Sequence, residues 1–141
     1  MTTKTWKLEF MPKPIRKNMS ARAATEHCVM KWSGLNPANL KKHGLIKIDD
    51  EAELQEKNNH SYEGGILING RNCALCVVYY EAAEACNKCP LYLARGGTSC
   101  DRQMEKELRS PFEAFERLGD PKPMIRELKK TLKYLTKKEA K

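Results

Sequence analysis

No apolar run in this chain exceeds the eight residues from Cys73 to Tyr80, far short of the ~18 that a bilayer-spanning helix needs. The opening MTTKTWKLEFMPKPIRKN has no apolar h-region, which removes a secretory signal from the expected features. Catalytic signatures are equally scarce: there is no H-E-x-x-H, no P-loop and no G-x-S-x-G. Only three histidines occur, His27, His43 and His60, in three separate local settings. A zinc deaminase would need a ligand and a glutamate at H-x-E spacing, and no such pair exists. Internal repeats are absent, and the one low-complexity stretch is the lysine-rich end. These absences predict a chain that works in a reducing cytosol, with no membrane partner, and that is not an enzyme.

What the chain does carry is charge and cysteine. Its 141 residues suit a single domain over 1–141. Hydrophobic residues at 40% and charged residues at 31% fit a globular chain rather than a disordered one. The formal net charge of +8 favours acidic partners such as nucleic acid or an anionic protein surface. That charge sits at the ends: residues 1–34 carry +5, residues 35–72 carry −1, residues 73–100 balance, and residues 101–141 carry +4. The neutral middle, which holds the cysteines, reads as a structural centre rather than an anion trap.

Local patterns predict an α-rich α+β domain, small and single, built of short helices with a minor β element and clamped by a cysteine metal site. Trp6, Leu8 and Phe10 alternate with Lys7 and Glu9, a period of two that predicts a short strand ended by Pro12 and Pro14. Helices are expected near 21–33, 37–43, 51–57, 74–84, 111–118 and 121–137. Ser20 caps the first, in which Ala21, Ala24, Cys28 and Trp32 share one face, and Gly34 ends it. Asn36-Pro37 opens the second and His43-Gly44 closes it. Asp50 and Glu53 look like a capping box for the third. Residues 45–48 and 66–68 are expected as brief strands, the latter running into a tight turn at Asn69-Gly70. Pro90 opens a further short helix ended by Gly96-Gly97. Ser110-Pro111-Phe112-Glu113 supplies an N-cap, a first-turn proline and a capping-box glutamate. Ile125, Leu128, Leu132 and Leu135 stripe the basic C-terminal helix, 121–137. Trp32, Phe112, Phe115, Leu128 and Leu132 are the expected core. Cys28 is expected to pack there as a small hydrophobe, with His27 turned outward.

The cysteines give the strongest signal. Cys73, Cys76, Cys86 and Cys89 form C-x2-C-x9-C-x2-C, and Cys100 follows ten residues later. Two residues between cysteines let one turn offer both sulfurs to one ion, and nine residues suffice to reverse the chain. Zinc takes about four soft ligands in a tetrahedron, with sulfur at ~2.3 Å. Structural zinc held by segment 73–100 is therefore the leading expectation. An iron–sulfur cluster is the alternative, because Cys89-Pro90 matches the cysteine-proline end of ferredoxin-type motifs. A thiol–disulfide pair or simple apolar packing are weaker readings. Both pairs fall at expected helix starts, where backbone N–H groups favour thiolate. Cys100 follows Gly96-Gly97-Thr98-Ser99, a flexible approach, and can stand in for any of the four.

These residues also carry a resemblance. Lys31-Trp32, Cys73-Ala74-Leu75-Cys76, Cys86-x-x-Cys89-Pro90-Leu91, a glycine turn, Cys100 and Ser110-Pro111-Phe112 resemble a recurrent type of small bacterial and bacteriophage protein. Those proteins carry C-x-L-C, C-x-x-C-P, G-x-x-C and Thr/Ser-Pro-Tyr in that order. The likeness covers roughly residues 20–118 and implies a phage or prophage setting and a shared metal site, not a reaction. This chain departs from it at Phe112, where Tyr is usual, and in a longer stretch between Cys100 and Pro111.

Two functions follow as expectations. The first is a phage-type accessory protein that binds and modulates a host protein in the host cytosol, defence components included. The second is nucleic-acid binding. Arg126, Lys130, Lys133 and Lys137 lie on one side of the last helix, with Tyr134 among them, and Lys13, Arg16, Lys17 and Arg22 form a second basic group. Lysines opposite an apolar stripe are also what an ordinary solvated face looks like.

Overall fold

The computed structural model describes residues 2–48, 51–57, 65–69, 72–79 and 88–139. The described residues are helix-rich with one small antiparallel sheet.

The first element, α1 (Thr3–Phe10), occupies the segment expected as a strand. Thr2 caps it: the Thr2 hydroxyl accepts from the Thr5 N–H, and Thr5 Oγ1 accepts from the Thr2 N–H at 2.9 Å. Trp6 and Phe10 are four apart, so they share a helix face as readily as a strand face. Leu8 separates the two readings. A strand would bury it beside Trp6, yet it is 66% exposed.

Trp6 is fully buried, and its indole N–H donates to the Gly34 carbonyl at 2.8 Å. Phe10 lies directly on Gly34, where an added Cβ would stand 2.5 Å from the Phe10 Cγ. Gly34→Ala should therefore cost about 1–3 kcal/mol, the usual range for overpacking. Thermal unfolding checks this, and an unchanged Tm would mean that α1 slides off α2 without loss.

Helix α2 (Ala21–Ser33) starts at Ser20, whose Oγ accepts from the Ala23 N–H at 3.1 Å. Ala24, Cys28 and Trp32 are buried as expected, and Thr25, His27 and Lys31 are buried as well. His27 does not face out: the preceding segment folds back so that the Lys13 carbonyl lies 3.1 Å from Nε2. Helix α3 (Pro37–Lys42) leads through His43 and Gly44 into β1 (Leu45–Lys47).

Strand β2 (Glu53–Glu56) replaces the helix expected over 51–57. Ala52 and Leu54 are buried while the residues between and after them are not, a period of two. Asp50, the cap that reading needed, lies outside the described residues. β2 pairs antiparallel with β1, Ile46 opposite Gln55, and with β3 (Ile66–Leu67), Leu54 opposite Ile66.

Helices α4 (Ala74–Tyr79), α5 (Pro90–Ala94), α6 (Pro111–Leu118) and α7 (Lys122–Glu139) complete the described fold. The second half of the helix expected at 74–84 and the Gly70 turn position lie outside the described residues, as do His60 and Cys86. α7 packs along α2, α5 and α6, and α2 packs on α4. Trp32 sits at this junction, its ring edge-on to Phe115 at 5.2 Å between centroids and to Phe112 at 6.4 Å. Such pairs add ~0.5–1.5 kcal/mol each beyond burial. Trp32, Phe115 and Leu128 are buried as expected, whereas Phe112 and Leu132 are half-buried. No described helix is long and apolar enough to cross a membrane.

Candidate metal centre

The junction of α2, α4 and α5 leaves a cavity of about 70 Å³ bordered by Cys28, Cys73, Cys76, Cys89 and Cys100. Each arrives by a different local device. Cys73 stands immediately before α4, and Cys76 lies within its first turn. Cys89 is the N-cap of α5, with Pro90 at the first helical position. Cys100 is held by its carbonyl, which accepts from the Phe112 N–H at 3.1 Å and so ties it to the start of α6. Cys28 comes from the middle of α2, and its Sγ lies 3.8 Å from Cys73 Sγ.

Four of the five sulfurs expected from the sequence thus border one cavity, and the fifth, Cys86, lies outside the described residues. Among the described residues, no three His, Cys, Asp or Glu side chains already stand as an ion-holding group. The sulfurs rim the cavity rather than close on a point.

The donor set fits a thiophilic ion. No carboxylate borders the cavity among the described residues, which disfavours hard, oxygen-seeking cations. Lys31 borders it too and is 1% exposed. Its ammonium donates to the Asn72 carbonyl at 2.9 Å and lies 5.7 Å from the Trp32 ring centroid. No described carboxylate pairs with it. Burying an unpaired ammonium costs several kcal/mol, so the arrangement calls for negative charge among the sulfurs.

The thiols answer that call. Cys73 is pushed well below the usual thiol range by the hydrogen bonds it receives from Cys28 and Cys76, aided by the Lys31 charge and the Cys76 N–H. Cys28 is pushed up, first by that same hydrogen bond to Cys73 and then by burial, while the Leu75 N–H directed at its sulfur pulls the other way.

The glycine turn behind Cys100 is not the loose approach that its composition suggests. Gly96 and Gly97 take φ of 69° and 94°, a left-handed path open to glycine, and Arg95 locks the turn. Its side chain is 1% exposed. The guanidinium donates to the Thr98 carbonyl at 3.2 Å and the Arg102 carbonyl at 2.8 Å, and pairs with Glu107 at 2.9 Å and Glu127 at 3.2 Å. One buried cation thereby fastens the Cys100 turn to α7.

His27 and His43 stay away from the cavity. His43 packs against α1, with Nε2 2.8 Å from Glu9 Oε2 and Nδ1 2.9 Å from the Thr5 hydroxyl. Of the basic residues, Arg126, Lys130, Lys133 and Lys137 form an exposed row on α7, opposite buried Met124, Leu128, Thr131 and Leu135. Lys130 lies 3.7 Å from Glu127. Lys13, Arg16 and Lys17 are exposed on the segment before α2. Arg22 is spent on structure, bonded to Glu139 at 2.9 Å and Thr136 at 3.0 Å, joining the start of α2 to the end of α7.

Sequence reasoning put Cys28 in the core, where it lies, though not at this cavity, and it missed Lys31 and Arg95. The signal for both Cys28 and Lys31 was Lys31 itself, a lysine three residues after Cys28 on the buried side of α2. Compared with known proteins, the chain matches no family model, no curated protein and no solved structure.

Proposed function

We propose that this chain is a small zinc-clamped binding protein, a phage-type accessory factor that docks on and modulates a host protein in the host cytosol, with defence components the favoured class of partner. One observation carries the reading: five thiols border a single cavity that they share with a buried lysine for which, among the described residues, there is no carboxylate partner. Zinc held there by four of the cysteines would supply a rigid tetrahedral crosslink. A donor set of cysteines alone supports a structural role, since a catalytic zinc takes three protein ligands and keeps an open coordination position. A crosslink of this kind lets a short chain hold a defined surface without a large core.

Tagged protein recovered from host cells after crosslinking, followed by reconstitution with the purified partner, tests this. The expected result is a stoichiometric complex that is lost when the metal is stripped. A chain that co-purifies with nothing and reconstitutes with nothing ends the reading.

A second reading, nucleic-acid binding, is favoured by the exposed row on α7. Phosphate contacts by Arg126, Lys130, Lys133 and Lys137, aided by Lys13, Arg16 and Lys17, should give a gel shift at low salt that weakens steeply as salt rises. Absence of any shift at low salt removes it.

A further inference from the structure

We propose that Cys28 is a ligand of the metal centre and shares one metal ion with Cys73, the two sulfurs forming one edge of that ion's tetrahedron. The inference rests on the metal-centre reading above and deepens it.

The first ground is distance. Four sulfurs at ~2.3 Å from one ion, placed tetrahedrally, stand about 3.8 Å from one another. Cys28 Sγ and Cys73 Sγ are 3.8 Å apart. A [4Fe–4S] cluster puts each cysteine on its own iron, which holds cysteine sulfurs much farther apart, whereas a [2Fe–2S] cluster, like a mononuclear site, puts two cysteines on one iron.

A thiol–thiol hydrogen bond has a similar length, so the second ground is the surroundings. Cys28 and Cys73 line one cavity together with Cys76, Cys89 and Cys100, so further sulfurs stand at the same site to complete a set of four. The third ground is Lys31, one turn along the same face of α2 from Cys28. Four thiolates around a divalent cation leave a net charge of about −2. A buried ammonium beside them offsets half of it. Neutral packed thiols would leave that ammonium with no counter-charge among the described residues at the cavity.

With Cys28 as a ligand, the centre joins α2 to the start of α4, and two of the remaining cysteines complete the set.

The test uses the full chain loaded with cadmium-113 in place of zinc. In a proton–cadmium correlation spectrum, the β-protons of each ligating cysteine couple to the metal. Coupling of both Cys28 and Cys73 to one cadmium resonance is expected. Cadmium bound and coupled only to other cysteines would overturn this inference while leaving the centre in place. A chain that takes up neither cadmium nor zinc would overturn both readings. As a second arm, Cys28→Ser, folded at saturating zinc by circular dichroism, should bind zinc more than about 100-fold more weakly in chelator competition, beyond the 10–100-fold typical of outer-shell changes. Unchanged zinc affinity in that variant would refute the assignment. The cadmium spectrum of the unmodified chain remains decisive should the variant not fold.

Discussion

Stripping the proposed zinc, or replacing either Cys76 or Cys89 by serine, is expected to abolish cooperative unfolding near 37 °C. Binding to structural thiolate sites is worth about 10–16 kcal/mol in small peptides. A domain of this size holds only about 5–15 kcal/mol in total. Because the site is not assembled in the unfolded chain, ligand-binding free energy becomes folding free energy. Cys76 lies in the first turn of α4 and Cys89 caps α5, so each substitution loosens a helix as well as the cavity wall. Calorimetry with and without a strong chelator checks this. Wild-type-like Tm in both variants, or in chelated wild type, would contradict it.

Arg95→Met should be the most damaging substitution away from the cavity, at about 3–5 kcal/mol. Removing one partner from a buried ion pair leaves the other charged and alone. Here it would leave Glu127, 11% exposed at its side chain, with only the more distant Lys130 at 3.7 Å, and Glu107, 23% exposed, without its guanidinium partner. The double variant Arg95→Met/Glu127→Gln should recover part of the loss. Because Arg95 also fixes the turn that carries Cys100, affinity for the proposed zinc should fall about 10–100-fold, the range for outer-shell changes at metal sites.

The same network sets an acid limit. Burial pushes the Glu107 carboxyl up, but the Arg95 hydrogen bond, the Met104 N–H and nearby Lys130 outweigh it and hold the group below its ordinary value of 4.5. A carboxyl whose folded pKa lies below its unfolded one stabilises the fold fully above the unfolded value. That contribution is lost as pH falls through the folded value. Wild type should therefore lose stability below about pH 4.5, and Arg95→Met should lose less over the same range. Parallel acid profiles in the two proteins would show that Glu107 does not depend on Arg95.

Helices α2, α3, α6 and α7 were legible because each carries its own start and stop: Ser20 and Gly34, Pro37 and His43, Ser110 and Gly119, Asp120 and the polar end. Two segments were misread for one physical reason, a short apolar pattern compatible with two periods. Trp6 and Phe10 are spaced for either element, and the Thr2–Thr5 cap tips them into a helix. Around 51–57, acidic residues suggested a capped helix, but pairing to β1 and β3 buries Ala52 and Leu54 on one side of a strand. At the candidate site, Cys73, Cys76, Cys89 and Cys100 were found by spacing, since a C-x2-C pair is a local statement about sulfurs. Cys28 was not, because one cysteine on an apolar helix face looks the same whether it packs or ligates. Only the docking of α2 on α4 brings it to Cys73.

The 45-residue separation of Cys28 and Cys73 has a consequence during synthesis. At about 5–20 residues per second, Cys28 leaves the ribosome roughly 2–9 s before Cys73. The nascent chain therefore spends seconds with this thiol exposed and its neighbours not yet made. The contact forms by docking two finished helices across a long loop, which costs closure entropy that the adjacent C-x2-C pairs avoid. Shortening that interval, by faster translation between residues 28 and 73, should favour correctly assembled protein over chains oxidised at Cys28.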